Sequence, residues 1–426
     1  MKKFIPQQLK NIYHLSWAIL ANLIFFFPSR KIKVIGITGT DGKTTTVQMI
    51  SKILEEAGKK VSVASTINFK VGEREWVNKT KFTTLSAWNV QKFISEAVGE
   101  GCEYLILETS SHSLDQFRVC GVDYDIAVIT NVTREHLDYH KTMERYRKAK
   151  KKLFHKARKI VVNLDMDNPE EFLGVENEES YAYSVDSSKL EANILNEEID
   201  FVLARNINLD IDGSSFVVNG VDFKLKIPGS FNIENSLAAI SVALIERVNL
   251  ETCSRALAKI KKIPGRMDLI KNDRGIDIIV DYAVTPKALE ELYKLVEKIK
   301  SKRDKSRIIS VFGSCGDRDR GKRPIMGEVV SIVADYVIIT NEDPYSEDPH
   351  QIINEVAEGV KNKKEGENFF KILDRKEAIK KALHIAEPGD IVLVTGKGAE
   401  EIMLVGKNRI PWNDEKVILE ELENIS

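Results

Sequence analysis

"VIGITGTDGKTTT", Val34 to Thr46, is the stretch on which the fold turns. An apolar strand runs into a glycine turn, and a lysine followed by threonines opens the next element. The common phosphate-binding loop reads G-x-x-x-x-G-K-[ST]. Counted back from Gly42-Lys43-Thr44, its first glycine would stand at position 37, which is Ile37; glycines occupy positions 36 and 39 instead. The chemistry survives the shorter spacing. Gly39 and Gly42 let backbone amides approach phosphate oxygens, and the N-terminus of the following helix favours an anion. Lys43 is placed to neutralise β- and γ-phosphates, and Thr44 to offer a hydroxyl to Mg²⁺.

Outward from the loop, continuous apolar strands alternate with amphipathic helices. VQMISKILEEAG and AWNVQKFISEAVGEG read as helices; KVSVAST, YLILETS, DIAVITN and KIVVNLD read as strands. This is an α/β pattern with a mostly parallel sheet covered on both faces. Residues 198–228 differ: apolar and polar residues alternate with DG and NG turns, predicting antiparallel hairpins. A new α/β series begins after Ile263-Pro264-Gly265-Arg266, starting with IDIIVDY and ending near DIVLVTG. The expected organisation is an apolar helical segment (1–30), a central ATP-binding domain (31–262) and a C-terminal Rossmann-like domain (263–426).

Composition bounds the function. With 43% hydrophobic and 30% charged residues the chain can build packed cores. A net charge of −1 gives no global field to attract nucleic acid or an anionic membrane. Cys102, Cys120, Cys253 and Cys315 show no C-x-x-C spacing, which argues against a disulfide framework and fits a reducing compartment. Leu15 to Phe27 is apolar apart from Ser16 and Asn22, but too short to cross a bilayer, which takes about 20 residues. Lys2 and Lys3 precede the run, yet no small-x-small cleavage site follows it. Two readings remain: a helix buried against the rest of the chain, or shallow docking on a membrane with Arg30, Lys31 and Lys33 near headgroups.

Other strand ends carry chemistry. Glu108, in LILETSSHSLDQFR, closes an apolar strand, where a carboxylate can hold a metal or cap a helix. TNVTREHLDYH places Asn131, His136, Asp138 and His140 close together, although a lone histidine is more often structural. The basic stretch TMERYRKAKKKLF reads mainly as a solvated helix face.

Taken together these stretches resemble the Mur ligase family, the ATP-dependent amide ligases of cell-wall peptide synthesis, and most of all its UDP-N-acetylmuramyl-tripeptide synthetase type. The carriers of the resemblance are G-T-D-G-K-T-T, E-x-S-S-H-x-L-x-Q-x-R, T-N-x-T-R-x-H-L-D-Y-H, G-x-F-N-x-x-N, P-G-R-M, D-Y-A-x-T-P, G-D-R-D-R-G-K-R-P and G-K-G-x-E, in order from about Lys31 to the C-terminus. The opening loop is thus the shorter form of a separate group of ATP users.

The resemblance implies roles residue by residue. Gly39, Thr40, Asp41, Gly42, Lys43, Thr44 and Thr45 surround the ATP phosphates, and Glu108 shares the first of two Mg²⁺ ions with Thr44. His136 helps hold the second. Lys150 matches a lysine carbamylated by CO₂, which turns an ammonium into a metal-binding anion; only the family register separates it from Lys148, Lys151 and Lys152. Lys43, Glu108, His136 and Lys150 therefore form the implied catalytic set. Asn232 and Asn235 match positions near the base, and Arg266, Asp281, Arg320 and Lys322 match nucleotide contacts. Thr83, Thr84, Ser110, Gln116 and Arg118 match positions facing a muramyl peptide. Glu342, Asp343, Tyr345 and Glu400 match the pocket for the incoming amino acid. The implied reaction phosphorylates a carboxylate and lets an amine displace the phosphate, with closure of the C-terminal domain excluding water.

Three departures are visible. Only 30 residues precede Lys31, where the family type places a uridine-nucleotide domain, so a lipid-linked or otherwise different carrier is expected. The family's D-N-P-R reads Glu342-Asp343-Pro344-Tyr345, which loses a bidentate grip on a carboxylate and leaves the added amino acid open. Val284 and Ala399 stand where the family pattern has histidines. A two-domain relative, of folylpolyglutamate synthase or poly-glutamate and cyanophycin ligase type, is a second reading; a non-catalytic ATP-binding scaffold is a third. The expected protein is a cytoplasmic monomer acting on small molecules, with no nucleic-acid partner; contact of residues 15–27 with the inner membrane face is one of the two readings of that stretch.

Overall fold

The computed structural model describes residues 7–189, 199–210, 212–303 and 305–425. Lys2, Lys3, residue 198 and Ile211 lie outside them. The described chain forms two compact units. One holds the residues up to Thr133 together with Thr142–Lys261; the other holds Arg134–Lys141 and Lys262 onward.

The first unit is built on a nine-stranded sheet. Its strands are β1 (Lys33–Thr38), β2 (Val61–Ala64), β3 (Asn68–Val71), β4 (Arg74–Val77), β5 (Tyr104–Glu108), β6 (Tyr124–Ile129), β7 (Ala157–Asn163), β8 (Glu179–Ser184) and β9 (Ile199–Leu203). They lie in the order β4-β3-β2-β5-β1-β6-β7-β8-β9. From β2 to β9 the pairings are parallel, while β3 and β4 add an antiparallel edge. The central strands are unbroken apolar runs because helices cover both faces. Leu105, Leu107, Ala127, Ile129, Ile160 and Val162 pack with Val90, Phe93 and Ile94 on one helix and Leu153 and Phe154 on another. Each such leucine, isoleucine, valine or phenylalanine side chain contributes roughly 1.5–3 kcal/mol.

Two local expectations are corrected here. Within 198–228, strands β10 (Arg205–Asp210), β11 (Gly213–Val218) and β12 (Val221–Leu225) do form a three-stranded antiparallel sheet. Its second turn is Asn219-Gly220, both at positive φ (47° and 84°), as a tight hairpin requires. Strand β9, however, pairs parallel to β8 and extends the main sheet. The second correction is the N-terminal helix, Gln7–Ile24. It buries Ala18, Ala21 and Asn22, while its large apolar side chains face outward, so it is not a helix packed into the core. No described helix is long and apolar enough to cross a membrane.

The second unit has a six-stranded sheet: β13 (Asp268–Ile270), β14 (Asp277–Asp281), β15 (Ile308–Phe312), β16 (Tyr336–Thr340), β17 (Phe369–Ile372) and β18 (Ile391–Thr395). The order is β13-β14-β18-β15-β16-β17, with only β13 antiparallel. A small hairpin follows, β19 (Ile402–Val405) and β20 (Asn408–Pro411). Ile278, Val280, Ile309, Val311, Val392 and Val394 pack against Ile379, Leu383 and Ile418. Inside this apolar layer Arg375 and Asp414 are both fully buried and make two parallel bonds, Nε to Oδ1 at 2.8 Å and Nη2 to Oδ2 at 2.7 Å. That bidentate geometry is what makes two buried charges tolerable.

Candidate active site

The parallel register places the functional side chains of the first unit along one sheet edge. Ile37 on β1 pairs with Glu108 on β5, and Thr38 pairs with Ile129 on β6. The glycine loop therefore leaves the sheet between the carboxyl ends of β5 and β6, where strand order diverges and open α/β sheets bind ligands.

Two glycines make the loop possible. Gly39 has φ 154°, and a Cβ there would fall 1.8 Å from Thr130 Oγ1; Gly42 has φ 81°, and a Cβ would fall 2.3 Å from Asn235 Oδ1. Asn131 Oδ1 accepts from the amides of Thr40 (3.2 Å) and Asp41 (2.9 Å), and the Thr130 hydroxyl donates to the Asp41 carbonyl at 2.6 Å. The helix Lys43–Glu56 then starts on Gly42, which brings no capping side chain, so its first-turn amides are left to an anion. Lys43 folds back over the loop, its Nζ donating to the Thr40 carbonyl at 2.7 Å.

Glu108 is buried and richly bonded. Thr44 Oγ1 lies 3.2 and 3.1 Å from its two oxygens, Thr66 Oγ1 donates to Oε1 at 2.9 Å, and the Thr66 amide donates to Oε2 at 2.7 Å. The Thr84 hydroxyl reaches the Glu108 carbonyl at 2.9 Å and accepts from the Ser110 amide at 3.0 Å. Arg118 Nη1 donates to the Thr84 carbonyl at 2.8 Å, and Thr83 bonds Thr66 at 3.2 Å. Gln116 follows as the C-cap of the short helix Ser111–Asp115. The structure thus brings Thr44, Thr83, Thr84, Glu108, Ser110 and Arg118 together.

Lys150, on the helix Met143–Phe154, is 1% exposed, and its Nζ donates to the Gly39 carbonyl at 2.6 Å. Burial pushes its pKa well below the ordinary value, and the nearby Lys43 ammonium adds to the effect. A neutral amine is the form that can add CO₂. Asn235 sits against the loop, accepting from the Thr46 hydroxyl at 3.3 Å and donating to Asn232 at 3.4 Å.

The Thr44 hydroxyl and Glu108 carboxylate are hard oxygen donors side by side, which fits Mg²⁺. Among the described residues no three His, Cys, Asp or Glu side chains gather as a ready metal cage. A magnesium ion characteristically completes its shell with water and nucleotide phosphate.

In the second unit His136 is at φ 57°, starting the turn Leu137–His140, with Nδ1 4.0 Å from Glu135 Oε1. Lys322 is buried, and its Nζ donates to both Glu135 oxygens (3.0 and 3.2 Å) and to the Val284 carbonyl (2.8 Å). Burial alone would lower its pKa; the Glu135 carboxylate more than offsets this, so the lysine is held charged. Val284 thus contributes through its backbone. Asp281 takes the Met267 amide at 2.8 Å and the Ala283 amide at 2.7 Å, pinning the 265–267 turn to β14. Arg266 donates to the Gly265 carbonyl at 2.9 Å and stacks over Tyr282. Arg320 is half exposed and pairs with Glu347 at 2.7 Å.

Four acidic-pocket candidates converge near the ends of β16 and β18. Lys397 Nζ, fully buried, donates to Asp343 at 2.9 Å, to Glu400 at 2.6 Å and to the Ile402 carbonyl at 2.9 Å. Glu342 is buried beside them and accepts from the Cys315 thiol at 2.8 Å; burial raises its pKa. Tyr345 lies at φ 49° under the Arg318 guanidinium.

Sequence reasoning missed Thr66, Thr130, Glu135, Cys315 and Lys397 as site residues and left Asn131 unassigned. Thr66 could have been found from register: β2 lies next to β5, with Ala64 opposite Leu107, so the residues after Ala64 fall beside Glu108. Lys397 stood inside the quoted G-K-G-x-E.

Comparison with known proteins follows the same outline. Residues 37–243 match the Mur ligase middle domain, and residues 265–398 the Mur ligase, glutamate ligase domain. A UDP-N-acetylmuramyl-tripeptide synthetase from Roseiflexus is 39% identical over 93% of this chain and 80% of its own length. A UDP-N-acetylmuramoyl-L-alanyl-D-glutamate–2,6-diaminopimelate ligase from Syntrophomonas wolfei is 37% identical over 95% of this chain and 81% of its own. A solved structure of a ligase of the latter description superimposes with TM-score 0.59 at 31% identity, covering 92% of this chain and 79% of that one. Mycobacterium tuberculosis folylpolyglutamate synthase, at TM-score 0.66 but 15% identity over 90% of this chain and 92% of that one, shares the fold alone. By sequence and by architecture, the chain belongs to the Mur ligase family.

Proposed function

We propose that the protein is an ATP-dependent, ADP-forming ligase that joins an amino acid to the carboxylate of a muramyl peptide, as a step in building peptidoglycan precursors. The observation that carries this is the Thr44–Glu108 contact at the mouth of a loop that also bears Lys43 and receives the buried Lys150. Residues 31–262 serve as the ATP-binding domain and 263–426 as the domain that brings the amine.

The carboxylate oxygen of the acceptor attacks the γ-phosphorus, the bond to the β–γ bridging oxygen breaks, and ADP leaves. The resulting acyl phosphate carries a good leaving group. The amine attacks its carbonyl carbon, loses a proton, and the tetrahedral intermediate collapses to amide and inorganic phosphate. Lys43 and the first-turn amides hold the phosphates against their mutual repulsion. Thr83, Thr84, Ser110, Gln116 and Arg118 position the acceptor. Asn232 and Asn235 would serve the base, and Arg266, Asp281, Arg320 and Lys322 would serve phosphate and ribose. Thr44, Glu108 and a carbamylated Lys150, and for a second ion His136, would hold magnesium, which would supply charge neutralisation to the triphosphate. Glu342, Asp343, Tyr345 and Glu400 receive the amino acid. The protein works as a cytoplasmic monomer in peripheral contact with a membrane through residues 15–27.

Phosphate release across a panel of acceptors and amines tests the reading. Release that requires a muramyl dipeptide together with one amino acid, whether lysine, diaminopimelate or another, is the expected result. Release with glutamate chains in place of the muramyl peptide, or with neither, contradicts it.

A further inference from the structure

The helix Gln7–Ile24 is oriented opposite to an ordinary amphipathic surface helix. Its small residues face the protein: Ala18 and Ala21 are buried, and Asn22 Nδ2 donates to the Cys120 carbonyl at 2.9 Å. Its large apolar residues face out. Ile12, Tyr13, Ile19, Leu20 and Leu23 are 43–60% exposed, and Phe26, just beyond the helix, is 77% exposed. The helix is about 27 Å long at 1.5 Å per residue, so this is a contiguous stripe, larger than the scattered apolar residues of ordinary surfaces. It is also firmly held. Trp17 and Phe25 pack edge-on against Trp88, Asn11 Nδ2 reaches the Asp115 carbonyl at 3.2 Å, and the Ser29 hydroxyl reaches that of Gly121 at 3.3 Å.

Charge selects the occupant. Residues 7–31 contain no Asp or Glu; Lys10 and Lys31 are cationic, and Arg30 pairs with the neighbouring Asp123 at 3.4 Å. Two copies of such a face would bring like charges together; anionic lipid headgroups would complement them. Tyrosine and tryptophan beside aliphatic side chains suit the boundary between headgroups and acyl chains. No described helix is long and apolar enough to span, so a helix of this kind lies in the interface plane.

The position of the helix says what the membrane is for. Its anchors, Asp115, Cys120 and Gly121, flank Gln116 and Arg118, the proposed acceptor contacts. Burial, and after it the Arg118 guanidinium, lowers the pKa of His14 in the same helix. We propose that this face docks on an anionic membrane surface and that the acceptor carboxylate is presented there on a lipid-linked carrier, a substrate class that rests on the ligase reading above.

Flotation of the full-length protein with vesicles tests the docking without any assay of catalysis. The protein is expected to float with phosphatidylglycerol–phosphatidylcholine vesicles, and less with phosphatidylcholine alone. Leu20→Ser combined with Leu23→Ser should weaken binding about tenfold or more, since both side chains would enter the lipid. Because both point outward, thermal unfolding and ligation of a soluble muramyl dipeptide should be unchanged. Wild-type protein that stays with the buffer, a double variant that floats equally well, or a concentration-dependent dimer abolished by the double substitution would each overturn the membrane face. For the carrier, a muramyl dipeptide on a long alkyl chain in vesicles is compared with the free dipeptide. Wild type should prefer the anchored form about tenfold, and the double variant should lose that preference; equal rates overturn the carrier. Flotation with ligation of neither acceptor overturns the ligase reading and the carrier together, and leaves the membrane face standing.

Discussion

Lys43→Ala is expected to reduce ligation about 10²–10³-fold, the usual cost of losing one preorganised group that stabilises developing charge. Lys43 is the one side chain of the 39–45 loop that brings a cation, and its Nζ lies 2.7 Å from the Thr40 carbonyl. In the reaction two anions meet, a carboxylate and a triphosphate, and alanine leaves their repulsion uncompensated. The fold should not suffer, since the lost bond is a single one to a loop carbonyl, and thermal unfolding should move little. Lys148→Ala is the control. Lys148 is exposed on the helix Met143–Phe154, where a solvated charge contributes almost nothing. Steady-state kinetics of both variants check the assignment; equal losses would contradict it.

Lys150→Arg is expected to reduce activity by a comparable factor, and its value is that it separates two roles. Arginine can still donate to the Gly39 carbonyl, as Lys150 does at 2.6 Å, although it brings a permanent charge where burial weakens the lysine's. It does not form a carbamate. If Lys150 only anchors the loop, arginine should serve; if CO₂ converts it into a metal-binding anion, arginine should fail. The environment favours the second role. Burial and the neighbouring Lys43 lower its pKa from 10.5, so the neutral, nucleophilic amine is present at lower pH than for an exposed lysine. The sign of the accompanying stability effect follows: the unfolded chain binds this proton more readily, so stability rises with pH between the lowered folded value and 10.5. Isotopically labelled bicarbonate should give a carbamate signal in wild type that grows with pH, and none in the arginine variant. Full activity of Lys150→Arg, or no labelled adduct, would contradict the role.

What the amino-acid sequence made legible depended on whether a residue's position follows from its own strand. Glu108 ends an apolar strand, and in a parallel sheet strand ends share an edge, so its convergence on Thr44 could be expected. Thr66 and Asn131 belong to the same edge, but their contacts depend on which strands are neighbours, and order is not written in periodicity. The β9 strand shows why pattern alone misleads. It alternates like its neighbours in the chain, yet it completes the main sheet, because its pairing partner was decided by β8. The β3–β4 hairpin, turned by Gly72 at φ 60°, went unseen because only a single glycine marks it. The apolar N-terminal helix was visible, but not its direction: a run without a polar face gives no clue which side the protein keeps, and two alanines and Asn22 decided it.

The central claim is that the acceptor carboxylate itself takes the γ-phosphoryl group. Heavy-oxygen labelling of that carboxylate tests it most directly. Mass spectrometry of the inorganic phosphate released during ligation should find one labelled oxygen per phosphate, carried over when the acyl phosphate is displaced by the amine. Amide product formed alongside unlabelled phosphate would mean that the phosphoryl group went to water or elsewhere, and the account would be wrong.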